Sequence, residues 1–209
     1  MKILLIDDHA VVRQGLKLIL ADRIPRAVFG EARNANEAIA RVSNNGWDVV
    51  VLDITMPGRS GWEVMREIKR LRPRLPVLVL SMHPEDQFAV RMLRSGAAGY
   101  LTKESAGDEL ATAIKKVVGG GRYISPTLAE GMASYLDTDV QKAPHERLSD
   151  REFQIMRMIA SGKQVSQIAR EISLSVQTIS TYRARILQKM KMKNNAELTR
   201  YVVEKGLLK

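Results

Sequence analysis

Between residues 2 and 118, short and mostly apolar runs alternate with amphipathic stretches, and this rhythm leaves few folds open. The runs Lys2–Ile6, Ala27–Ala32, Val49–Leu52, Val77–Leu80 and Gly99–Thr102 have the length of strands rather than helices. Between them, Val12, Leu16, Ile19 and Leu20 fall at helical spacing, as do Ala35, Ala38, Ile39 and Val42, then Val64, Met65, Ile68 and Leu71. Glu85–Arg94 reads as a helix that stops at Gly96, and Leu110, Ala113, Ile114 and Val117 stripe another. Strands that alternate with helices predict parallel, right-handed βαβ units. Runs without polar alternation suit a sheet covered on both faces. The fold class expected for residues 1–120 is therefore α/β, a (βα)5 doubly wound domain.

After Val118 the rhythm stops. Gly119-Gly120-Gly121 breaks the last helix, Ser125-Pro126 starts a short helix over Thr127–Leu136, and Asp137–Arg147 is polar, contains Pro144 and has no period. Residues 121–147 thus read as a linker carrying one short helix. Residues 148–209 show helical spacing only. Ser149-Asp150-Arg151-Glu152 fits a capping box. Ile155, Met156 and Ile159 follow, with a stop at Gly162. Ile168, Ala169 and Ile172 mark a second helix, Ser173-Leu174-Ser175 a tight turn with Ser175 as N-cap, and Ile179, Tyr182, Ile186 and Met190 a third. Ala196–Val203 is a fourth. An all-α four-helix domain is expected here.

The chain has no cysteine, which excludes disulfides and thiolate metal sites and leaves an oxygen-ligand site open. The apolar start Ile3–Ile6 runs straight into Asp7-Asp8, unlike a secretory signal, and no stretch approaches the roughly 20 apolar residues of a membrane span. A cytoplasmic protein with no membrane partner is expected. The net charge of +10 is concentrated at the end: residues 141–209 hold 14 Lys/Arg against 6 Asp/Glu, a balance of +8. Val176–Lys193 holds five basic residues and no acid. Alone, such a run is ordinarily a solvated helix face; the sharper reading is a surface for a polyanion.

In a parallel sheet, functional groups gather at the carboxyl ends of the strands. Here those ends deliver Asp7 and Asp8, then Asp53, Ser81 and Lys103. Each has an ordinary reading by itself: a helix cap, a loop aspartate, a surface lysine. Their joint placement at four strand ends points to one site. Three carboxylates repel one another, and a hard divalent cation such as Mg2+ relieves that repulsion. A carboxylate can attack phosphorus to give an aspartyl phosphate, with the metal and the Lys103 ammonium neutralising the phosphoryl oxygens. The Ser81 hydroxyl is a donor able to sense the phosphoryl group. His9 and His83 read as surface or hydrogen-bonded histidines rather than ligands.

Asp7-Asp8, Asp53 followed by Met56-Pro57 and Gly61, Ser81 and Lys103 resemble, over residues 1–120, the receiver domain of two-component response regulators. The resemblance implies that Asp53 takes its phosphoryl group from a sensor histidine kinase. It implies Mg2+ bound by Asp8, Asp53 and the backbone carbonyl of Thr55, with Asp7 acting through water. Ser81 and Tyr100 would form the switch pair, the ring turning inward as Ser81 moves onto the phosphoryl group. Glu104 stands where many receivers carry proline.

In the last block, two short helices, Val165–Ile172 and Val176–Met190, joined by a tight turn fit a helix-turn-helix whose second helix enters the major groove. Arg183, Arg185 and Lys189 suit phosphate contacts, and Thr178, Ser180 and Thr181 can meet base edges. Tyr182 and Ala184 complete the expected DNA-binding set. Leu148-Ser149-x-Arg151-Glu152, Ile159-Ala160-x-Gly162, Ile168-Ala169, Leu174-Ser175-x-x-Thr178-Ile179 and Leu187-x-Lys189-Met190 resemble the LuxR-type helix-turn-helix over residues 147–207. Ser180 and Ala184 depart from the lysine and the basic or amide residue common there. Gly120–Pro126 resembles the interdomain segment of the NarL/FixJ family, to which the two blocks together are similar. That resemblance implies a transcription factor whose binding to double-stranded promoter DNA, as a homodimer, is controlled by phosphorylation of Asp53. It implies no enzyme activity beyond the receiver's own phosphoryl transfer and dephosphorylation. A phosphatase with an aspartate nucleophile would want Asp-x-Asp after strand one, where this chain has Asp7-Asp8-His9, and would have no use for the basic helical block. A receiver that acts without phosphorylation would ordinarily have an incomplete acidic pocket.

Overall fold

The computed structural model describes residues 1–44, 46–56, 61–82, 85–126, 128–130 and 143–208. Pro57, His83 and residues 131–142 of the expected linker lie outside the described residues. The chain divides into two compact units, Met1–Ser134 and Tyr135–Lys209.

The first unit is built on five parallel strands in the order β2-β1-β3-β4-β5: β1 Lys2–Ile6, β2 Val28–Ala32, β3 Val49–Asp53, β4 Val77–Ser81 and β5 Gly99–Thr102. The helices between and after them are α1 Ala10–Arg23, α2 Ala35–Asn44, α3 Gly61–Leu71, α4 Glu85–Arg94 and α5 Ala106–Val118. All five expected strands and helices form, with Val28 rather than Ala27 opening β2. The three central strands explain the absence of polar alternation: from Ile3 to Ile6, through β3 and through β4, every residue is buried. Side chains of alternate residues go to opposite faces. Ile3, Leu5, Val49, Val51, Leu78, Leu80 and Leu101 pack with Leu16 and Leu20 of α1 and Leu110, Ile114 and Val117 of α5. The intervening residues face the layer of α2, α3 and α4. β3 pairs with β1 on one side and β4 on the other, so its last residue, Asp53, sits at the middle of the sheet's carboxyl edge.

Beyond α5 the chain returns to the sheet. The Tyr123 N–H donates to the Ala98 carbonyl at 2.9 Å, and Gly99 bridges to Tyr123. Ser125 Oγ then accepts the Leu128 N–H at 3.1 Å, as an N-cap would; residues 127 and 131–136 of the expected short helix lie outside the described residues.

In the second unit the helices are α6 Asp150–Ala160, α7 Val165–Glu171, α8 Val176–Met190 and α9 Asn195–Glu204. Both reciprocal bonds of the Ser149/Glu152 capping box form, and Ser175 accepts the Thr178 N–H. Ile155, Met156, Ile159, Ile168, Ala169, Ile172, Ile179, Ile186 and Met190 are buried as their spacing predicts. One reading needs correction. Pro144–Arg147, expected at the end of an exposed linker, forms a 3-10 turn seated on the helical unit. His145 Nδ1 lies 2.7 Å from the Tyr201 hydroxyl, and its ring packs near Phe153. A turn this short shows no period in sequence. Among the described residues, no helix is long and apolar enough to cross a membrane.

Candidate functional site

Four of the expected pocket residues meet at the carboxyl edge of the sheet. Asp7 follows β1, Asp53 ends β3, Ser81 ends β4 and Lys103 follows β5. Asp7, Asp53 and Ser81 are buried. Lys103 Nζ donates to Asp7 Oδ2 and to Asp53 Oδ2, each at 2.7 Å. The second oxygen of Asp53 accepts the Thr55 N–H at 2.8 Å. Asp7 Oδ1 accepts the His9 N–H at 2.7 Å. The His9 side chain is 62 % exposed, so it is the hydrogen-bonded surface histidine expected.

Charge in this pocket is unbalanced. Burial dominates at Asp53 and holds its carboxyl above the ordinary range, although Lys103 and the Thr55 N–H pull it down; the Asp7 charge adds to the rise. Burial works against the Lys103 charge, yet Asp53 and Asp7 outweigh it and hold the ammonium above its ordinary value. One ammonium serves two buried carboxylates, and Asp8 adds a third. Asp8 Oδ1 is buried and accepts no hydrogen bond among the described residues. Asp7, Asp8, His9 and Asp53 each offer a ligand atom, all within 4.8 Å of one another. Asp8 Oδ1 lies 3.1 Å from His9 Nδ1, and a carboxylate oxygen without a hydrogen bond beside further carboxylates is the donor set a hard divalent cation takes.

The loop after β3 is held close to the helix that follows. A Cβ on Gly61, the first residue of α3, would lie 2.4 Å from Ile54 Cα and 3.0 Å from the Asp53 carbonyl oxygen. Only glycine lets α3 approach Asp53 this closely. On β5, Tyr100 is fully buried, and Ser81 pairs in register with Thr102.

One residue at this edge escapes a search for polar groups at strand ends. Arg13 Nη1, from α1, donates to the Asp7 carbonyl at 2.7 Å. Its position inside a helix gives no sign of that in sequence.

In the second unit, α7 and α8 meet through the turn expected, and Arg151 Nη2 of α6 ties that turn down by donating to the Ile172 carbonyl at 3.2 Å. On α8, Ser180, Thr181, Ala184 and Arg185 are exposed, while Thr178, Tyr182 and Arg183 are half-buried. Gln177 and Gln188 share the exposed face, and Val176 is 53 % exposed at its start. These three were not singled out, because neither charge nor core spacing marks them. Two of the three expected phosphate-contacting cations are engaged within the unit. Lys189 Nζ donates to Glu152 Oε2 at 2.6 Å, and Arg183 Nε donates to Asn195 Oδ1 at 2.7 Å. On the Arg183 flank an open cleft of about 880 Å3 brings Lys163 and Arg200 beside Arg183.

Comparison with known proteins follows the same division. The family described as "Response regulator receiver domain" matches residues 3–115, and the family described as "Bacterial regulatory proteins, luxR family" matches residues 146–202. The chain is 37 % identical over 206 residues to the response regulator UvrY of Escherichia coli (strain K12), covering 98 % of this chain and 94 % of that one. It is 37 % identical over 208 residues to the response regulator GacA of Pseudomonas syringae pv. syringae (strain B728a), covering 99 % and 97 %. Among solved structures, RcsB from Salmonella enterica serovar Typhimurium, bound to promoter rprA in the presence of the phosphomimetic BeF3-, matches with a TM-score of 0.68 at 25 % identity, covering 97 % of this chain and 98 % of that one.

Proposed function

Because the chain belongs to the NarL/FixJ family of two-component response regulators, transcription factors that join a receiver to a LuxR-type DNA-binding domain, we propose that Asp53 is its phosphoryl acceptor. The observation that carries this reading is the buried Asp53 carboxylate, 2.7 Å from Lys103 Nζ and within ligand distance of Asp7 and Asp8. A carboxylate oxygen of Asp53 forms the new P–O bond while the P–N bond to the histidine of a sensor kinase breaks. The bonding pair stays on the imidazole nitrogen, which takes up a proton from water. Lys103, already at the carboxylate edge, shifts its ammonium onto a phosphoryl oxygen and balances the added charge. Asp8, Asp53 and the Thr55 carbonyl would hold Mg2+, with Asp7 acting through water, and the bound ion would supply further positive charge to the phosphoryl oxygens. Ser81, at the end of β4, and Tyr100, on the neighbouring β5, form the switch pair that reads the result. The receiver's own chemistry is limited to this transfer and the later loss of the phosphoryl group.

The boundaries that fit this division are a receiver over residues 1–120, a linker over 121–147 and a DNA-binding domain over 148–209. Solved relatives of the second domain include RcsB bound to promoter DNA. By the same chemistry, the exposed face of α8 enters the major groove of promoter DNA, with Ser180, Thr181 and Ala184 toward the bases and Arg185 toward the backbone. Thr178, Tyr182, Arg183 and Lys189 border that face. Phosphorylation favours a homodimer that spans two half-sites, and the protein works in the cytoplasm.

The test is to treat the full chain with acetyl phosphate and Mg2+. A base-labile phosphoryl mass gain on Asp53, absent from Asp53→Ala, is expected, together with tighter retention of promoter DNA. Absence of any mass gain on Asp53 sinks the reading.

A further inference from the structure

Arg13 holds the acidic pocket from behind. It lies in the first turns of α1, and its side chain is only 12 % exposed. The guanidinium makes two unlike contacts. Nη1 donates to the Asp7 carbonyl at 2.7 Å, and Nε donates to Glu31 Oε2 in β2 at 2.9 Å. Lys17 Nζ takes the other Glu31 oxygen at 2.7 Å. These partners, Lys17 first and then Arg13, hold the Glu31 carboxyl below its ordinary range, so it stays ionised and anchors the guanidinium.

The Asp7 carbonyl matters because of where it lies. The Asp7 N–H still continues the sheet, donating to the Ala32 carbonyl at 3.2 Å. Three residues later α1 begins, and His9 at its N-cap makes no side-chain capping bond. The peptide between Asp7 and Asp8 is therefore the point at which β1 leaves the sheet, and its plane sets where both carboxylates project. A planar, bidentate donor fixes such a plane better than a point charge does.

We infer that Arg13 is a positioning residue for the cation site: by clamping the Asp7 carbonyl against β2 it aims Asp7 at Lys103 and Asp8 Oδ1 at the metal. The inference rests on the reading of the pocket given above. Supporting groups one step removed from a metal commonly set its affinity by a factor of about 10 to 100. The competing account is a plain stitch between α1 and β2, and Lys17 separates the two. Lys17 shares Glu31 with Arg13 but has no contact with Asp7 among the hydrogen bonds described.

The experiment titrates Mg2+ into metal-free full chain by calorimetry and records thermal unfolding without Mg2+. Arg13→Met is expected to weaken Mg2+ binding about tenfold, Arg13→Lys to recover part of the loss, and Lys17→Met to bind as the parent does. Glu31→Gln, which keeps Arg13 but loosens its anchor, is expected to weaken binding roughly threefold and stands in should Arg13→Met fail to fold. Equal Mg2+ affinity in Arg13→Met and parent, or equal losses in Arg13→Met and Lys17→Met, overturns the positioning role while leaving the pocket intact. A parent chain that binds no Mg2+ overturns both.

Discussion

Lys189 Nζ lies 2.6 Å from Glu152 Oε2, and the Glu152 side chain is only 5 % exposed. The same oxygen accepts the Ser149 N–H at 2.7 Å, so the start of α6 and the end of α8 share one carboxylate. Burial alone pushes the Glu152 carboxyl up, but Lys189 and Ser149 outweigh it and hold it below the ordinary value of 4.5. A carboxyl with a depressed folded value stabilises the fold above its unfolded value, and that contribution disappears as pH falls through the lower folded one. Urea unfolding of the helical unit is thus expected to show stability that is level above pH 4.5 and declines below it. Lys189→Met is expected to cost about 1–2 kcal/mol at neutral pH and to flatten that decline. An unchanged slope in Lys189→Met would show that the pair contributes nothing.

That pair also shows where sequence reading stops. The strand ends were legible because β1, β3 and β4 are buried on both faces, so the first polar residue after each run marks the sheet's edge; Asp7, Asp53 and Ser81 were found this way, and Lys103 as the residue that follows the β5 run. The cores of α6, α7 and α8 were legible because Ile155, Ile168 and Ile179 belong to stripes with a helical period. Arg13 with Glu31, 18 residues apart, and Lys189 with Glu152, 37 apart, join different elements, and no period records such partnerships. His145 with Tyr201, 56 apart, is the same case, and it hid the docked turn at Pro144–Arg147. Charge pattern marked Lys189 as a cation facing outward, whereas its ammonium is hydrogen-bonded to the buried Glu152 carboxylate.

Tyr123 is fastened to the sheet and to α5 together. Its N–H bonds the Ala98 carbonyl, its hydroxyl donates to Glu109, and Lys116 Nζ stands 5.9 Å from its ring centre. Gly99 makes room for this: a Cβ there would lie 2.8 Å from Leu78 Cδ1, Tyr123 Cβ and the Tyr123 carbonyl oxygen. Gly99→Ala is expected to cost roughly 1–3 kcal/mol through overpacking, and Tyr123→Phe about 1 kcal/mol through the lost hydrogen bond. Thermal unfolding of the full chain measures both; a silent Gly99→Ala would mean that the 121–124 segment lifts away without cost.

All four helices described in the second unit end in a left-handed residue whose neighbours close back on the last turn, but only two use glycine. Gly162 and Gly206 close α6 and α9; Ser173 (φ 53°) and Lys191 (φ 56°) close α7 and α8. A side chain in this region costs about 1–2 kcal/mol, partly recovered through the lower freedom of the unfolded chain. Ser173→Gly and Lys191→Gly are each expected to stabilise the unit by roughly 0.5–1 kcal/mol, measured as a rise in urea midpoint at constant slope. A lowered midpoint for both would show that the serine and lysine side chains contribute contacts larger than the backbone strain.

The two cations Arg185 and Lys189 separate electrostatic contact with DNA from internal structure. Arg185 is exposed on the same side of α8 as Thr181 and Ala184, whereas Lys189 is drawn to Glu152. Each backbone phosphate neutralised adds about 0.9 to the slope of log affinity against log salt. Arg185→Gln is expected to lower that slope by about one unit and to weaken specific and non-specific DNA alike. Lys189→Gln is expected to leave the slope unchanged and to lower the unfolding midpoint instead. Equal loss of slope in both variants would mean that Lys189 leaves Glu152 when DNA arrives, exchanging a buried carboxylate for a phosphate. The unfolding midpoint measured with and without DNA would then show Lys189→Gln losing less of the DNA-induced stabilisation than Arg185→Gln, because in Lys189→Gln the Glu152 carboxylate lacks its lysine with or without DNA and has no partner to lose on binding.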